Sequence, residues 1–566
     1  MASSLLRTTR STLFNQLGDF ITAIFDSERR TLAQTEFAAV IAFGAQPSLE
    51  AVTAYFGDDL HEGDVIAHND VFSRGNQLHD LGFYAPVFHE GQLIAWVVCK
   101  GHQADLGGAT AGGYNPRIRE VWQEALRVPP IKLYEAGRLR RDLWDLIAAN
   151  VRLDIVMEDI KSMIGACRLG CRRVTEIVTK YSLGAFTTHM DYVIASSERL
   201  VRNEIATWPD GHYHGESAMV SDGVDPFAQY KIICDAVIDG DEITFDFSGT
   251  DDQAPGYTNM PSSSAMGAVR IAFLMLLSAG GVGAPANHGL FAPVRTVFRP
   301  GSLLDPAYPA ATIFGNQMCD EVIESIMTAL APALPERVVA GWNQALGTCY
   351  EGIDPRNGSR VVFFGVFQRG GPGAVHGADG FDALGFTGAA GQMRQSDIEN
   401  FEISHPMLIE SYEFLPDSAG AGRWRGGLGT KTARRVLAEQ LAGSTLGDDV
   451  EAEGAAPARG LFGGEDAGLN TLRIEYPDGS VRLWGSKERI DSFPYGTRVI
   501  ALMGGGGGFG DPFLRPEEIV AQEVRDEILT IGKARDSYGV VVDELGQFDR
   551  SATAALRSTR DSGAQR

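Results

Sequence analysis

GNQLHDLGFYAPVFHEGQLIAWVVCKGHQADLGG, from Gly75 to Gly108, is the stretch on which the reading turns. His79 and Asp80 open it. APVFHEG then leads to a glycine-centred turn, and QLIAWVVCK is a strongly apolar strand ending at His102. Asp80 and His102 therefore lie at the ends of elements joined by a short connection, on loops of the kind that place functional groups on a rigid sheet. Asp105 and the pair Gly107-Gly108 follow. Imidazole nitrogen and carboxylate oxygen together suit zinc, manganese or iron. The plain alternatives are a surface loop at His79 and a polar turn after His102.

Upstream, residues 3–18 carry the apolar set Leu5, Leu6, Leu13, Phe14 and Leu17 and predict an amphipathic helix. DFITAIFD, Asp19 to Asp26, and TLAQTEF, joined at Ser27–Arg30, predict a β-hairpin. Asp19 and Asp26 have an ordinary role as capping or turn residues. GDVIAHNDVF, Gly63 to Phe72, is a strand closing on an Asn-Asp turn.

Downstream, residues 116–180 read as mainly helical. A short helix stops at Pro129-Pro130 and a strand follows. LRRDLWDLIAANVR and the segment beginning DIVMEDIKSM then make a helical pair. A third helix, from His189 to Trp208, ends at Pro209-Asp210-Gly211. YKIICDAVIDGDEITFDFSGT is a hairpin about Asp239-Gly240-Asp241. A buried helix over SSSAMGAVRIAFLMLLSAG and an amphipathic one over GNQMCDEVIESIMTALAPALPER complete a second unit. Beyond Arg337 short strands alternate with glycine turns, and RPEEIVAQEVRDEILTIGKARDSYG is a closing helix. The expected class is α+β and multi-domain. It has an N-terminal metal-site region with a helical segment over 1–211, a central α+β module over 212–336 and a β-rich region over 337–549. A polar tail over 550–566 is expected to be disordered.

Composition narrows the function. An apolar fraction of 44% with 22% charged residues is that of an ordinary globular protein. A formal charge of −24 argues against nucleic acid as a partner, because phosphate binding draws on clustered Lys and Arg. The six cysteines read as reduced, buried thiols; Cys167 and Cys171 share a helix face but lack two further soft ligands nearby. MASSLLRTTR has no long apolar core, and Ala265–Ala279 is short for a bilayer and holds Arg270, so a cytoplasmic protein without a membrane partner is expected.

Nucleotide motifs are missing: GGGGGFGDP lacks the Lys-Ser/Thr of a phosphate-cradling loop, and no G-x-S-x-G elbow occurs. The five glycines suit a wide turn or, less readily, an anion nest. HYHGE, His212 to Glu216, has the strand alternation of a metal pair or of a surface hairpin end. Arg423 and Arg425 flank Trp424 and could hold a carboxylate or a partner, or serve as surface arginines of a turn.

An ordered set of motifs gives a resemblance. DF-x4-FD at Asp19–Asp26, GDV-x3-ND at Gly63–Asp70, Asp80 with PVF at Pro86–Phe88, and HQADLGG at His102–Gly108 come first. QEALRVPPIKLY at Gln123–Tyr134, LIAANVR at Leu146–Arg152, DSAGAGRWRGGLG at Asp417–Gly429 and GGGGGFGDP at Gly504–Pro512 follow. Together they resemble the B-type subunit of the hydantoinase/5-oxoprolinase family, related to subunits of acetone and acetophenone carboxylases and of caprolactamase, over nearly the whole chain.

The resemblance implies an ATP-binding A-type partner, and further subunits in a hetero-oligomer, that phosphorylates a lactam, imide or ketone oxygen. This chain then completes the reaction on the small carbonyl substrate with a divalent metal (Zn, Mn or Fe). The main expectation is metal-assisted hydrolysis of a phosphorylated cyclic amide. The alternatives are carboxylation of a phosphoenol, at which the HQAD form hints, and a scaffold subunit that has lost its metal. By motif the ligands fall on Asp19, Asp80 and His102. The family's first His falls on Gln77, with His79 two residues on as a substitute of different geometry. Asp105 and Gln77 are expected behind the ligands, Asp105 orienting His102. Relatives also carry a further helix before the positions matching Met1–Leu6.

Overall fold

The computed structural model describes residues 1–563 apart from Glu36, Ala345, Val366, Met393, Asp449, Glu451 and Ala452. Four sheets organise the described residues. The first holds β1 (Phe20–Asp26), β2 (Thr31–Gln34), β3 (Val65–His68), β4 (Asp80–His89), β5 (Gln92–His102), β6 (Ile131–Glu135) and β7 (Arg138–Leu139). Their order is β2-β1-β5-β4-β3-β6-β7. β4 and β5 are the expected hairpin, and their apolar sequence is explained by burial on both faces. Tyr84, Trp96 and Val98 join one core, while Phe83, Ala85, Val97 and Cys99 join another. Alternate residues of a strand face opposite ways, so a strand with two cores needs apolar residues at both parities.

One face packs on helices. α1 (Ala2–Thr8), α2 (Ala39–Phe43), α3 (Ala45–Phe56), α4 (Arg141–Asn150), α5 (Asp154–Tyr181) and α6 (Leu183–Ile205) belong to this part of the chain. α5 lies across β4 and β5, burying Val156, Ile160, Met163, Cys167 and Val174. The amphipathic helix expected over 3–18 is broken. Asp159 of α5 accepts the backbone amides of Arg10 and Ser11, and the chain resumes as a π-helical turn over Leu13–Leu17. The short helix expected before Pro129 shrinks to one turn, Val121–Gln123, because Glu124 turns inward to bind backbone elsewhere.

The second sheet holds β8 (Gly211–Val220), β9 (Gln229–Asp239), β10 (Glu242–Asp246) and β11 (Val294–Val297), ordered β11-β10-β9-β8. α7 (Ser262–Ala279), α8 (His288–Phe291) and α9 (Cys319–Leu330) pack with it into the first core. α7 has the length and apolarity of a bilayer span, yet Ala265, Ala268, Ala272 and Leu276 are sealed inside that core. β12 (Leu346–Ile353), β13 (Arg360–Phe364), β16 (Leu441–Gly447) and β19 (Arg489–Phe493) form the third sheet. β14 (Met407–Phe414), β15 (Thr430–Val436), β17 (Thr471–Glu475), β18 (Val481–Trp484) and β20 (Arg498–Leu502) form the fourth. A short α10 (Ile398–Ser404) lies beside β14. The expected closing helix is two, α11 (Glu517–Arg525) and α12 (Ile531–Tyr538). The expected disordered tail begins instead as α13 (Arg550–Gly563); residues 564–566 lie outside the described residues.

The glycine run Gly504–Gly508 is neither a wide turn nor an anion nest. Its amides are spent on Asn470 Oδ1 and on the carbonyls of Ser418, Gly427, Gly341 and Glu465. Backbone packs on backbone there: a Cβ on Gly506 would stand 1.8 Å from the Pro372 carbonyl oxygen. Such contact admits no side chain. Gly506→Ala is expected to cost about 3 kcal/mol. Gly165→Ala, in an exposed interior turn of α5 with open space around it, is expected to add about 0.5–1 kcal/mol. Urea unfolding of the two variants checks both signs.

Candidate functional site

The β4–β5 register sets Asp80 opposite His102 and Gly101 beside Phe20 of β1. The His102 amide donates to the Asp19 carbonyl oxygen, 3.1 Å away, so Asp19 joins the other two at one end of the sheet. His102 Nδ1 lies 3.1 Å from Asp80 Oδ1. Asp80 Oδ2 accepts from Asn316 Nδ2 at 3.0 Å, and Asn316 Oδ1 accepts from the Ser264 hydroxyl at 2.7 Å. Behind them Asn76 donates to Ser264 and accepts from the buried ammonium of Lys100, whose pKa burial pushes down to about 8. A polar chain thus runs through the core from Lys100 to His102, which fixes the Asp80 carboxylate and hence the imidazole plane.

Electrostatics follow from this packing. Burial raises the Asp19 carboxyl to about 6, against the pull of His102 and with the repulsion of Asp80. Burial pushes the His102 imidazole down, but its hydrogen bond to Asp80 and the charges of Asp19 and Asp80 outweigh that and leave it above the ordinary value. His102 Nε2 has no hydrogen-bond partner among the described residues.

Asp19, Asp80 and His102 line a cavity of about 170 Å³. Its polar end adds Gln77, Tyr114, Asn316 and Gln317. Gln317 Nε2 donates to the Tyr114 hydroxyl at 3.2 Å, and that hydroxyl donates to Gln77 Oε1 at 3.4 Å. Its walls are mainly apolar, with Leu13, Leu17, Val40, Ile41, Phe364, Phe386 and Leu446 drawn from every part of the chain, and Asn343, Thr348, Gln368 and Arg369 interrupt them. Tyr114, Asn316 and Gln317 escaped the sequence reading because nothing local marks them: Tyr114 sits in a glycine-rich loop, and Asn316 and Gln317 lie in the short turn Gly315–Met318, at the start of what reads as an ordinary amphipathic helix. Asn316 is separated from Asp80 by 236 positions.

The other expected residues are placed differently. His79 stacks on His102 with ring centroids 5.4 Å apart and rests against Gly113; both its nitrogens are unpartnered, but it does not line the cavity. Asp105 does not orient His102. It is fully buried and binds the Arg152 guanidinium at 2.8 Å and the Arg152 amide at 2.6 Å, which anchors the entry to α5. Gln77 donates to the Ile313 carbonyl, and the loop at Ile313 is held in turn by the buried Glu124 carboxyl. Arg425 is no free anion contact: it is buried and paired with Asp382 and Glu523. Arg423 is exposed and lies over the Trp424 ring. In HYHGE, His214 pairs with Asp235 on an exposed strand face, and all six cysteines are free thiols.

Two carboxylates and an unpartnered imidazole nitrogen at one cavity end have the donor chemistry of a divalent ion. They are not drawn into a closed cluster: among the described residues no three His, Cys, Asp or Glu side chains stand together closely enough to hold one.

With the geometry in hand, comparison with known proteins is informative. The profile of the Hydantoinase B/oxoprolinase family matches residues 1–512. The caprolactamase subunit beta of Pseudomonas jessenii is 33% identical over 99% of this chain and 96% of its own. The crystal structure of the ATP-dependent caprolactamase from that organism superposes with a TM-score of 0.87 at 31% identity, covering 98% of this chain and 96% of that one. The nucleotide-free structure of an ATP-dependent acetone carboxylase gives a TM-score of 0.87 at 20% identity over 100% of this chain and 81% of its own, a likeness of fold.

Asp105→Ala is expected to cost about 3 kcal/mol of stability, because it strips a buried carboxylate from its arginine. Urea unfolding checks it; unchanged stability with lost turnover would instead place Asp105 in the chemistry.

Proposed function

The chain belongs to the Hydantoinase B/oxoprolinase family, and from that premise we propose that it is the B-type subunit of an ATP-dependent cyclic amidohydrolase. An ATP-binding partner subunit activates the carbonyl oxygen of a small cyclic amide, and this chain completes the hydrolysis. The observation that carries the reading is the Asp80–His102 pair, with Asp19 beside it, at the polar end of a small, mainly apolar cavity.

Each residue then has a task. Asp80, held by Asn316, accepts a hydrogen bond from the Nδ1–H of His102 and so leaves the Nε2 lone pair free to act as a ligand. Gln317 and Tyr114 offer an amide and a hydroxyl to orient the ring amide. The apolar walls keep bulk water from the activated carbonyl. Asp19, Asp80 and His102 are the residues that would hold the divalent ion; when bound, it polarises oxygen or generates hydroxide near neutral pH. Nothing in this chain supplies a nucleotide loop, which fits a partner that does.

The test is reconstitution. The pure chain is expected to be inactive, and lactam hydrolysis coupled to ATP cleavage is expected when the nucleotide-binding subunit is added. Asp80→Ala or His102→Ala should lower kcat/KM in the complex by about 100-fold or more and reduce the metal found by elemental analysis. Substrate-dependent ATPase activity from the pure chain would sink the reading. Incorporation of labelled bicarbonate into a ketone would turn it toward carboxylation. Full activity of the double variant, with little metal in either protein, would make the chain a scaffold.

A further inference from the structure

A second cavity, of about 430 Å³, lies against the first and shares Leu13, Leu17 and Phe364 with it. The wall between them is the π-helical turn Leu13–Leu17 and the end of β13. The second cavity differs in chemistry. Arg10, Arg152 and Arg360 line it, against one lining carboxylate, Asp154. Arg152 is tied to Asp105, but Arg10 and Arg360 form no ion pair among the described residues. Unopposed guanidinium groups gathered on a chain of net charge −24 mark a local positive field.

Two further observations point to a ligand. The wall includes Leu153–Ile155, the start of α5. That helix is 28 residues long and, among the described residues, no side chain caps its N-terminus, so the positive end of its dipole lies in this wall, beside Asp154 of its own first turn. His405 also lines the cavity. It is 8% exposed, packed on Phe363 with centroids 4.4 Å apart, and its buried Nδ1 makes no hydrogen bond among the described residues. A buried imidazole without a partner is a donor lacking its acceptor.

We propose that this cavity binds an oxyanion, a phosphate or carboxylate group held by Arg10, Arg360, His405 and the N-terminus of α5. The wall it shares with the first cavity sets it beside the candidate site. The inference does not rest on the proposed reaction, because binding is read without turnover.

Isothermal titration calorimetry of the full chain tests it, with inorganic phosphate and, separately, acetate at low ionic strength. Saturable binding of at least one anion is expected, and phosphate alone or acetate alone identifies the source. The Arg10→Ala/Arg360→Ala double variant should weaken it tenfold or more. His405→Phe, which keeps the ring stack, should weaken it threefold or more, and Arg173→Ala, on the exposed face of α5, should leave it unchanged. Unchanged Tm in each variant verifies the fold. No saturable binding of either anion, wild-type affinity in the double variant, or an equal loss in Arg173→Ala would overturn the proposal.

Discussion

The register of one hairpin is the constraint on which the rest depends. β4 and β5 pair so that Asp80 faces His102, and the same pairing sends Trp96 and Val98 into one core and Val97 and Cys99 into the other. A slip of one residue would exchange both cores at once, since side chains alternate with a period of two. The irregularity at Val87/Phe88 lies toward the turn, so the ladder from Asp80 to Val87 keeps its count up to the functional end. Hydrophobic burial on two faces thereby fixes the distance between Asp80 and His102.

That hairpin supplies only the floor of the site. Asn316 and Gln317 come from the turn before α9, and Phe364, Gln368 and Phe386 from the region of the third sheet. The polar contacts between layers are few and specific: Asn316 on Asp80, Gln77 on Ile313, and Glu124 on Thr312 and Ile313. Glu124 shows what holding them costs, its carboxyl raised to about 8 by burial despite two backbone amides. The glycine run adds the reverse device, close contact of bare backbone with no side chains between.

Much of this was legible in the sequence, and the boundary is physical. The strands and long helices follow from periodicity, which is local. The pairing of Asp80 with His102 follows from a short connection between two strands. Asp105 misleads because its neighbour in sequence, His102, is not its partner in space; Arg152 is. The broken N-terminal helix is likewise invisible, since Asp159, which breaks it, lies on another helix. Tyr114 has no local pattern, and Asn316 and Gln317 read only as the start of a helix; the closed fold brings all three to the cavity.

Gln77 is the most instructive position. The family resemblance places a histidine there, and the chain has an amide that is already engaged with Ile313, Gln317 and Tyr114. The imidazole that stays is His102, and the anionic pair is Asp19 with Asp80. Burial, with a smaller repulsion from Asp80, raises the Asp19 pKa to about 6, and the hydrogen bond to Asp80 and the two carboxylates lift His102 above its ordinary value against its own burial. A group held short of full ionisation by burial and by a like charge gains from any cation that enters. Replacing a neutral imidazole by a spent amide leaves that charge balance untouched while removing one donor. On the metal-assisted reading proposed above, Gln77 takes away one donor and leaves the charge that favours a cation, so metal content, rather than the presence of Gln77, is the observable that would separate an active subunit from a scaffold.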